Sequence, residues 1–286
     1  MGVAGLVDIK KRIKSVESTK KLTKAMGLVA TSKLKKARVS LDKSNSYFKS
    51  YKEIMEEVLN SLPKDNKYIK VNNKAKGKLI IVLTSSMGMC GGFNFNVVNK
   101  LQEIIENSKD TYEILAIGDR GKALMKRYKL NTPQEDLKFS DIPSVEEAKE
   151  IFNYAFQKFN SEEVKEVILL YTRFKNQLIK EPVEKVMLPI TFNNKEKETL
   201  NTEFDIEGNK EDIIETLAAS FCKAMVYNAM INSKVSEHSF RMETMNSATK
   251  NAEDLINNLK TKFNRIRQGA ITQEISEIVG GSEAQG

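Results

Sequence analysis

The stretch INSKVSEHSFRMETMNSATKNAEDLINNLKTKFNRIRQGA, Ile231 to Ala270, decides the architecture. Ile231, Val235, His238, Met242, Met245, Thr249, Ala252, Ile256, Leu259, Phe263, Ile266 and Ala270 follow one another at steps of four and three. Heptads sustained this long are the pattern of a coiled coil, because the 3.5-residue repeat keeps one seam facing a partner helix. His238 sits on that seam, where a packed imidazole is the expectation, not an acid-base group, and Met242 and Met245 read as core.

The other end of the chain offers a partner. Leu6, Ile9, Ile13 and Val16, then Thr19, Leu22, Met26 and Val29, predict a second stripe. Helix breakers confirm the partition. All five prolines lie between residues 63 and 189, no glycine stands between Gly27 and Gly77, and none stands between Gly208 and Gly269. Proline costs about 3 kcal/mol and glycine about 1 kcal/mol inside a helix, so these lengths read as two long helices flanking a compact middle. The middle returns the chain, which makes the pair antiparallel. The expected divisions are residues 1–62, 63–208 and 209–286.

The middle has another grammar. Leu79 to Leu83, Ile114 to Ile117 and Val167 to Tyr171 are continuously apolar, as strands buried on both faces of a parallel sheet are. Helical segments are expected near Asn96–Asn107, Gly121–Tyr128 and Val145–Phe159, which makes the middle an α/β unit. Gln177–Ile179 and Val183–Leu188 read as short strands, with Pro182 and Pro189 suited to edge or terminal positions.

Composition narrows the function. The 286 residues carry a net charge of +8, and Lys10 to Arg38 contributes eleven basic residues against Glu17 alone, which implies an acidic partner. Two distant cysteines, Cys90 and Cys222, and one histidine predict neither a metal site nor a disulfide framework. No stretch approaches the ~18 uninterrupted apolar residues of a membrane span, and the charged N-terminus is unlike a signal peptide, so a cytosolic or peripheral chain is expected. A lysine-rich helix can track phosphates, but Lys10 to Arg38 lacks Phe, Tyr, Trp, Asn and Gln to stack on or read bases, and an acidic protein surface accounts for the same charge equally well.

TSSMGMCGGFN, Thr84 to Asn94, is placed where a phosphate-binding turn would follow a first strand. Its glycines match neither the dinucleotide nor the P-loop spacing, so a tight turn using glycine's left-handed freedom is expected, with Asn94 or Asn96 capping the next helix. Ser85, Ser86 and Cys90 lack the elbow or base that nucleophilic catalysis needs.

With those motifs in place, the chain resembles the gamma subunit of bacterial F-type ATP synthase from end to end. Ile13-Lys14-Ser15-Val16, Thr19 and KLTKAMGLVATSKLKKA (Lys21 to Ala37) resemble that family's N-terminal helix. TSSMGMCGGFN resembles its T-[ST]-D-[RK]-G-L-C-G-G-[FL]-N turn, and ITQEISEIVGGSEA (Ile271 to Ala284) its I-T-x-E-x-x-E-I-x-x-G-A signature. The sequence departs from the family at Ser86 and Met87, where an acidic and a basic residue are usual, at Gly27, where glutamate is common, and at Lys250 and Ser282.

The resemblance implies an antiparallel coiled coil of the N- and C-terminal helices, joined to a central Rossmann-like α/β domain. It implies a non-catalytic rotor shaft inside a ring of three alpha and three beta subunits, with epsilon and the c ring at its foot. No cofactor is implied, and the location is the cytoplasmic face of the cell membrane, as a peripheral protein. Carried over from the family, Met26, Lys33, Lys35 and Lys36 face beta. Arg267, Gln268 and Thr272 meet a beta catch loop, and Ile275, Ile278 and Val279 run in the collar of the ring. The alternative reading is a free-standing basic coiled coil that binds nucleic acid or anionic membrane, and a remote third is an α/β enzyme built on the middle domain.

Overall fold

The computed structural model describes residues 2–59, 66–70, 75, 77–108, 110–130, 132, 137–191 and 210–283. Two compact units emerge: Met1–Thr31 with Arg241–Gly286, and Ser32–Phe240.

The first unit is a pair of helices, the start of α1 (Gly2–Leu59) and the end of α5 (Lys210–Glu283). They run antiparallel. Lys20 Nζ lies 2.8 Å from Glu253 Oε1, the hydroxyls of Thr23 and Thr249 are 2.8 Å apart, and Gly27 lies beside Met245 and Asn246. The seam of α5 is the expected one: Met245, Ala252, Ile256 and Leu259 are buried, and Met242, Thr249, Phe263, Ile266 and Ala270 are half-buried.

The seam of α1 departs from expectation after Val16. Thr19 is exposed, as are Leu22 (61%) and Val29 (55%), whereas Lys20 and Thr23 are half-buried and Gly27 and Ala30 are buried. The helix steps from Val16 by four, to Lys20, and not by three. Apolarity misleads here because lysine can lay its methylene stem in a seam while its ammonium reaches out to a carboxylate, as Lys20 does to Glu253.

The second unit wraps a four-stranded sheet ordered β2-β1-β3-β4, with β1 Gly77–Leu83, β2 Thr111–Ile117, β3 Val164–Phe174 and β4 Lys180–Leu188. The first three are parallel, and β4 joins antiparallel to β3 as an edge. Successive β1 residues serve opposite cores, which explains why the run reads as continuously apolar. Leu79, Ile81 and Leu83 join α4 (Val145–Asn160) and the Ala218–Met230 stretch of α5, and Ile80 and Val82 join α2 (Phe93–Glu106) and Met125 of α3 (Asp119–Arg127).

One local expectation is corrected and one holds. Gln177–Ile179 is a turn and not a strand, because Asn176 Oδ1 accepts from the backbone N–H of Leu178 and Ile179 at 2.9 and 2.8 Å. Pro182 does occupy the edge strand, opposite Thr172.

Candidate functional site

The glycine corner closes on itself. Asn94 does not cap α2, whose N-cap is Gly92 without a side-chain hydrogen bond. Its amide instead reaches back to the strand end: Asn94 Oδ1 accepts from Ser85 N at 2.9 Å, and Asn94 Nδ2 donates to Ser85 Oγ at 2.7 Å. Ser85 Oγ donates in turn to the Met87 carbonyl at 2.8 Å, and the Cys90 thiol is buried 3.5 Å from it. The side chains of Ser85 and Asn94 are thus spent on the turn itself. Of the three glycines only Gly91 takes the left-handed conformation, at φ 54°. Met87, Met89 and Phe95 are exposed around it.

Two glycines that sequence reasoning passed over matter more. A Cβ on Gly118, at φ 108°, would stand 2.5 Å from the Thr84 carbonyl oxygen, and one on Gly121 would stand 2.0 Å from Thr84 Oγ1. Buried Thr84 donates its hydroxyl to Ile117 O at 2.7 Å, so the ends of β1 and β2 are sewn together at a spot with no room for a side chain. The G-D-R-G spacing was the only signal, and it matches no motif.

The basic stretch is partly consumed within the chain. In the second unit Lys33 pairs with Asp141, and the Arg38 guanidinium lies 5.9 Å from the Phe174 ring centroid. Lys35 and Lys36 are exposed and make no ion pair among the described residues. Lys33 holds the Asp141 carboxyl below its ordinary value, with the nearby Lys234 and His238 acting in the same direction.

The same unit contains a feature that no periodicity announced. Ile231 to Ser239 of α5 are all buried, and most are polar. Asn228 Nδ2 donates to Ser44 Oγ at 3.1 Å and to Asn45 Oδ1 at 2.8 Å, tying α5 to α1. Asn232 Oδ1 accepts from Phe174 N at 3.2 Å, and Ser236 Oγ donates to Thr172 O at 3.2 Å, tying α5 to β3. Lys234 Nζ lies 3.1 Å from Glu237 Oε2, with both side chains under 5% exposed. His238, expected to be packed, is buried here.

A family model described as ATP synthase matches residues 5–285. The chain is 46% identical over 285 residues to the ATP synthase gamma chain of Clostridium perfringens, and 41% identical to that of Clostridium novyi, covering all of each. This chain belongs to the ATP synthase gamma-chain family. Among solved structures it is similar in fold to a chain of the Euglena gracilis mitochondrial ATP synthase (OSCP/F1/c-ring), with a TM-score of 0.70 at 16% identity over 99% of this chain and 95% of that one. A chain of the Tetrahymena thermophila central stalk/c-ring matches with a TM-score of 0.59 at 23% identity, over 79% of this chain and 99% of that one. The fold expectation, a paired-helix coiled coil plus an α/β domain, therefore stands.

In this gamma-family chain the remaining residues named from sequence fall at two separate levels of the first unit. Met26 is half-buried at the level of Met245 and Asn246. Arg267, Gln268 and Thr272 are exposed about twenty residues further along α5, roughly 30 Å at 1.5 Å per residue. Thr272 Oγ1 donates back to the Gln268 carbonyl at 2.9 Å, as helical threonines do. Beyond Ala270, which the antiparallel register brings level with the first turn of α1, every residue from Ile271 to Ser282 is exposed. Ile275, Ile278 and Val279 are 56%, 73% and 52% exposed. No described helix is long and apolar enough to cross a membrane.

Proposed function

We propose that the chain is the central rotor shaft of an F-type ATP synthase, a non-catalytic subunit that carries torque between an ion-driven c ring and a catalytic ring of three alpha and three beta subunits. One observation beyond family membership supports it most: the apolar residues Ile271, Ile275, Ile278 and Val279 stand in the open on a helix that has no partner at that level among the described residues. Exposed apolar side chains on one helical end mark an interaction surface, and a collar around a turning shaft needs contacts that are close but non-directional, as apolar ones are.

In this reading Lys35 and Lys36, with Met26 and the part of Lys33 not held by Asp141, face acidic loops of beta. Arg267, Gln268 and Thr272 meet a second loop of beta nearer the end of the shaft. The α/β stretch, residues 63–208, meets epsilon and the c ring, and residues 1–62 and 209–286 form the shaft. Ion flow turns the c ring, and the asymmetric shaft drives each catalytic site in succession through binding, synthesis and release. Hydrolysis turns it in reverse. The protein works at the cytoplasmic face of the cell membrane and binds it only through the complex.

Reconstitution tests the proposal. The ATPase of alpha and beta subunits is expected to depend on this chain, and a bead on its α/β unit is expected to rotate when ATP is supplied. Activity indifferent to the chain, together with salt-sensitive binding of the chain to DNA or anionic vesicles, would favour the basic coiled-coil reading instead.

A further inference from the structure

A helix buried on all sides is ordinarily apolar on all sides, because each buried polar group must find a partner. Ile231 to Ser239 of α5 breaks that rule, since Asn232, Ser233, Lys234, Ser236, Glu237, His238 and Ser239 are all buried. The surrounding walls come from several elements: Ser44 and Asn45 of α1, Thr172 and Phe174 of β3, Lys180 of β4 at 3.3 Å from Ser239 Oγ, and the loop that precedes α4.

That loop is the most telling wall. Glu147, at the start of α4, folds back over it: its carboxylate accepts from Ser140 N at 2.8 Å and from Ser144 N at 2.7 Å, completing a capping box with the Ser144 hydroxyl. The loop is thereby fixed to α4, and it presents Asp141 outward. Asp141 meets Lys33 of α1 with one oxygen and stands 3.8 Å from Lys234 of α5 with the other. Lys234 is bound a second time by Glu237, and its ammonium lies 4.8 Å from the ring centroid of Phe139 in the same loop. One carboxylate of the α/β layer thus engages a lysine from each of the two long helices.

The Lys234 and Glu237 side chains are under 5% exposed, whereas those of Lys33 and Asp141 are 40% and 46% exposed. Stability alone accounts for neither part, because exposed pairs contribute only ~0–1 kcal/mol and buried ones are often no better than well-packed apolar groups of equal volume. What they do supply is direction. An apolar wall resists separation but lets a cylinder turn with little loss, whereas ion pairs and hydrogen bonds weaken as soon as their atoms leave alignment. We propose that Asp141 is a positioning residue that keys α1 and α5 to the α/β layer against rotation about the helix axes, so that torque entering the α/β layer passes to the helices without slip. The inference rests on the rotor reading above.

The test uses the assembled complex. Leu178, 93% exposed at the β3–β4 turn, is replaced by cysteine to carry a bead, which the buried Cys90 and Cys222 leave uniquely labelled. With the alpha–beta ring fixed to a surface, the angular fluctuation of the bead during the ATP-waiting pause reports the twist stiffness of the rotor. Asp141→Asn removes the charge that engages both lysines, so it is expected to raise the angular variance above the parent's and to lower stall torque. Asp141→Glu is expected to restore both, with unloaded ATP hydrolysis unchanged in either variant. Variance and stall torque equal to the parent in assembled Asp141→Asn complexes would overturn the key, and so would a loss confined to thermal stability or assembly yield. If Asp141→Asn does not assemble, Glu147→Gln is read instead: it keeps the ion pairs but loosens the loop, and unchanged stiffness there also overturns the proposal. A parent complex that hydrolyses ATP with no rotation of the bead would sink the rotor reading itself.

Discussion

Helix α5 inverts the usual rule of inside and outside twice, in opposite senses. Between Asn228 and Ser239 it is buried and polar, and between Ile271 and Val279 it is exposed and carries isoleucines and a valine. The first stretch belongs to the α/β unit and makes directional contacts to α1, to β3 and to the loop before α4. The second belongs to the two-helix unit and, among the described residues, makes none beyond its own helix. The difference teaches where each piece is expected to hold and where it is expected to slide. Hydrogen bonds and ion pairs specify an angle, and apolar surface specifies only proximity.

The sharpest way to break this comparison is to make like-sized changes in each stretch. Lys234→Ala would remove one partner of the buried Lys234–Glu237 pair, and urea unfolding is expected to show a loss of about 3–5 kcal/mol. Ile278→Ser, by contrast, is expected to move the same midpoint by no more than ~0.5 kcal/mol while weakening assembly with the alpha–beta ring. Equal losses at the two positions would refute the division into holding and sliding stretches.

Next in size is the joint between β1 and β2. Gly118→Ala adds a methyl against the Thr84 carbonyl in a conformation that L-residues avoid, and a loss of roughly 2–3 kcal/mol is expected in the same assay. A near-neutral result would mean that the sheet edge tolerates movement that its packing forbids.

Acid titration separates the units by charge. In the α/β unit Lys165, at 2.6 Å, and Lys78, at 3.2 Å, hold the Asp110 carboxyl at about 2, against an ordinary 3.8. A depressed carboxyl contributes stability that is present above the unfolded value and is lost as pH falls through the folded one. The thermal midpoint of the α/β unit is therefore expected to fall between pH 4 and about 2. In Asp110→Asn that part of the slope is expected to vanish, and parallel curves for the two proteins would remove the ion pairs from the account.

The smallest effect concerns the seam of the two-helix unit. Alanine at position 27 gains ~1 kcal/mol of helix propensity, but its Cβ would stand 3.1 Å from the flexible Asn246 amide. Gly27→Ala is expected to stabilise by somewhat less than ~1 kcal/mol, measured by thermal unfolding. Destabilisation would mean that close approach of the helices, and not tolerance of a poor helix former, is what this glycine serves.

Much of this was legible in the chain. The α5 seam from Met242 to Ala270 and the three parallel strands followed from apolar spacing, since burial on one helical stripe or on both sheet faces leaves a direct trace in residue type. The α1 seam was misplaced after Val16 because Leu22 and Val29 are more apolar than Lys20, Thr23 and Gly27, although the latter face α5. Apolarity identifies a seam only when the outer face is polar, and here the outer face carries apolar residues of its own. Asn94 was legible as a turn residue but not in its role, because capping a helix and bridging to Ser85 ask for the same side chain.

By itself the sequence determined the order of elements, the antiparallel pairing of its ends, the family and the absence of recognisable nucleotide or nucleophile motifs at the glycine corner. These are local or periodic properties, written in neighbouring residues. Tertiary structure alone decided that Gly118 and Gly121 abut Thr84, that Lys33 is bound to Asp141, and that a polar stretch of α5 is buried where heptad spacing promised an ordinary core. Each joins residues from distant parts of the chain, such as Lys33, Asp141 and Lys234, and no pattern of spacing along a single helix encodes which carboxylate will come to stand between two lysines.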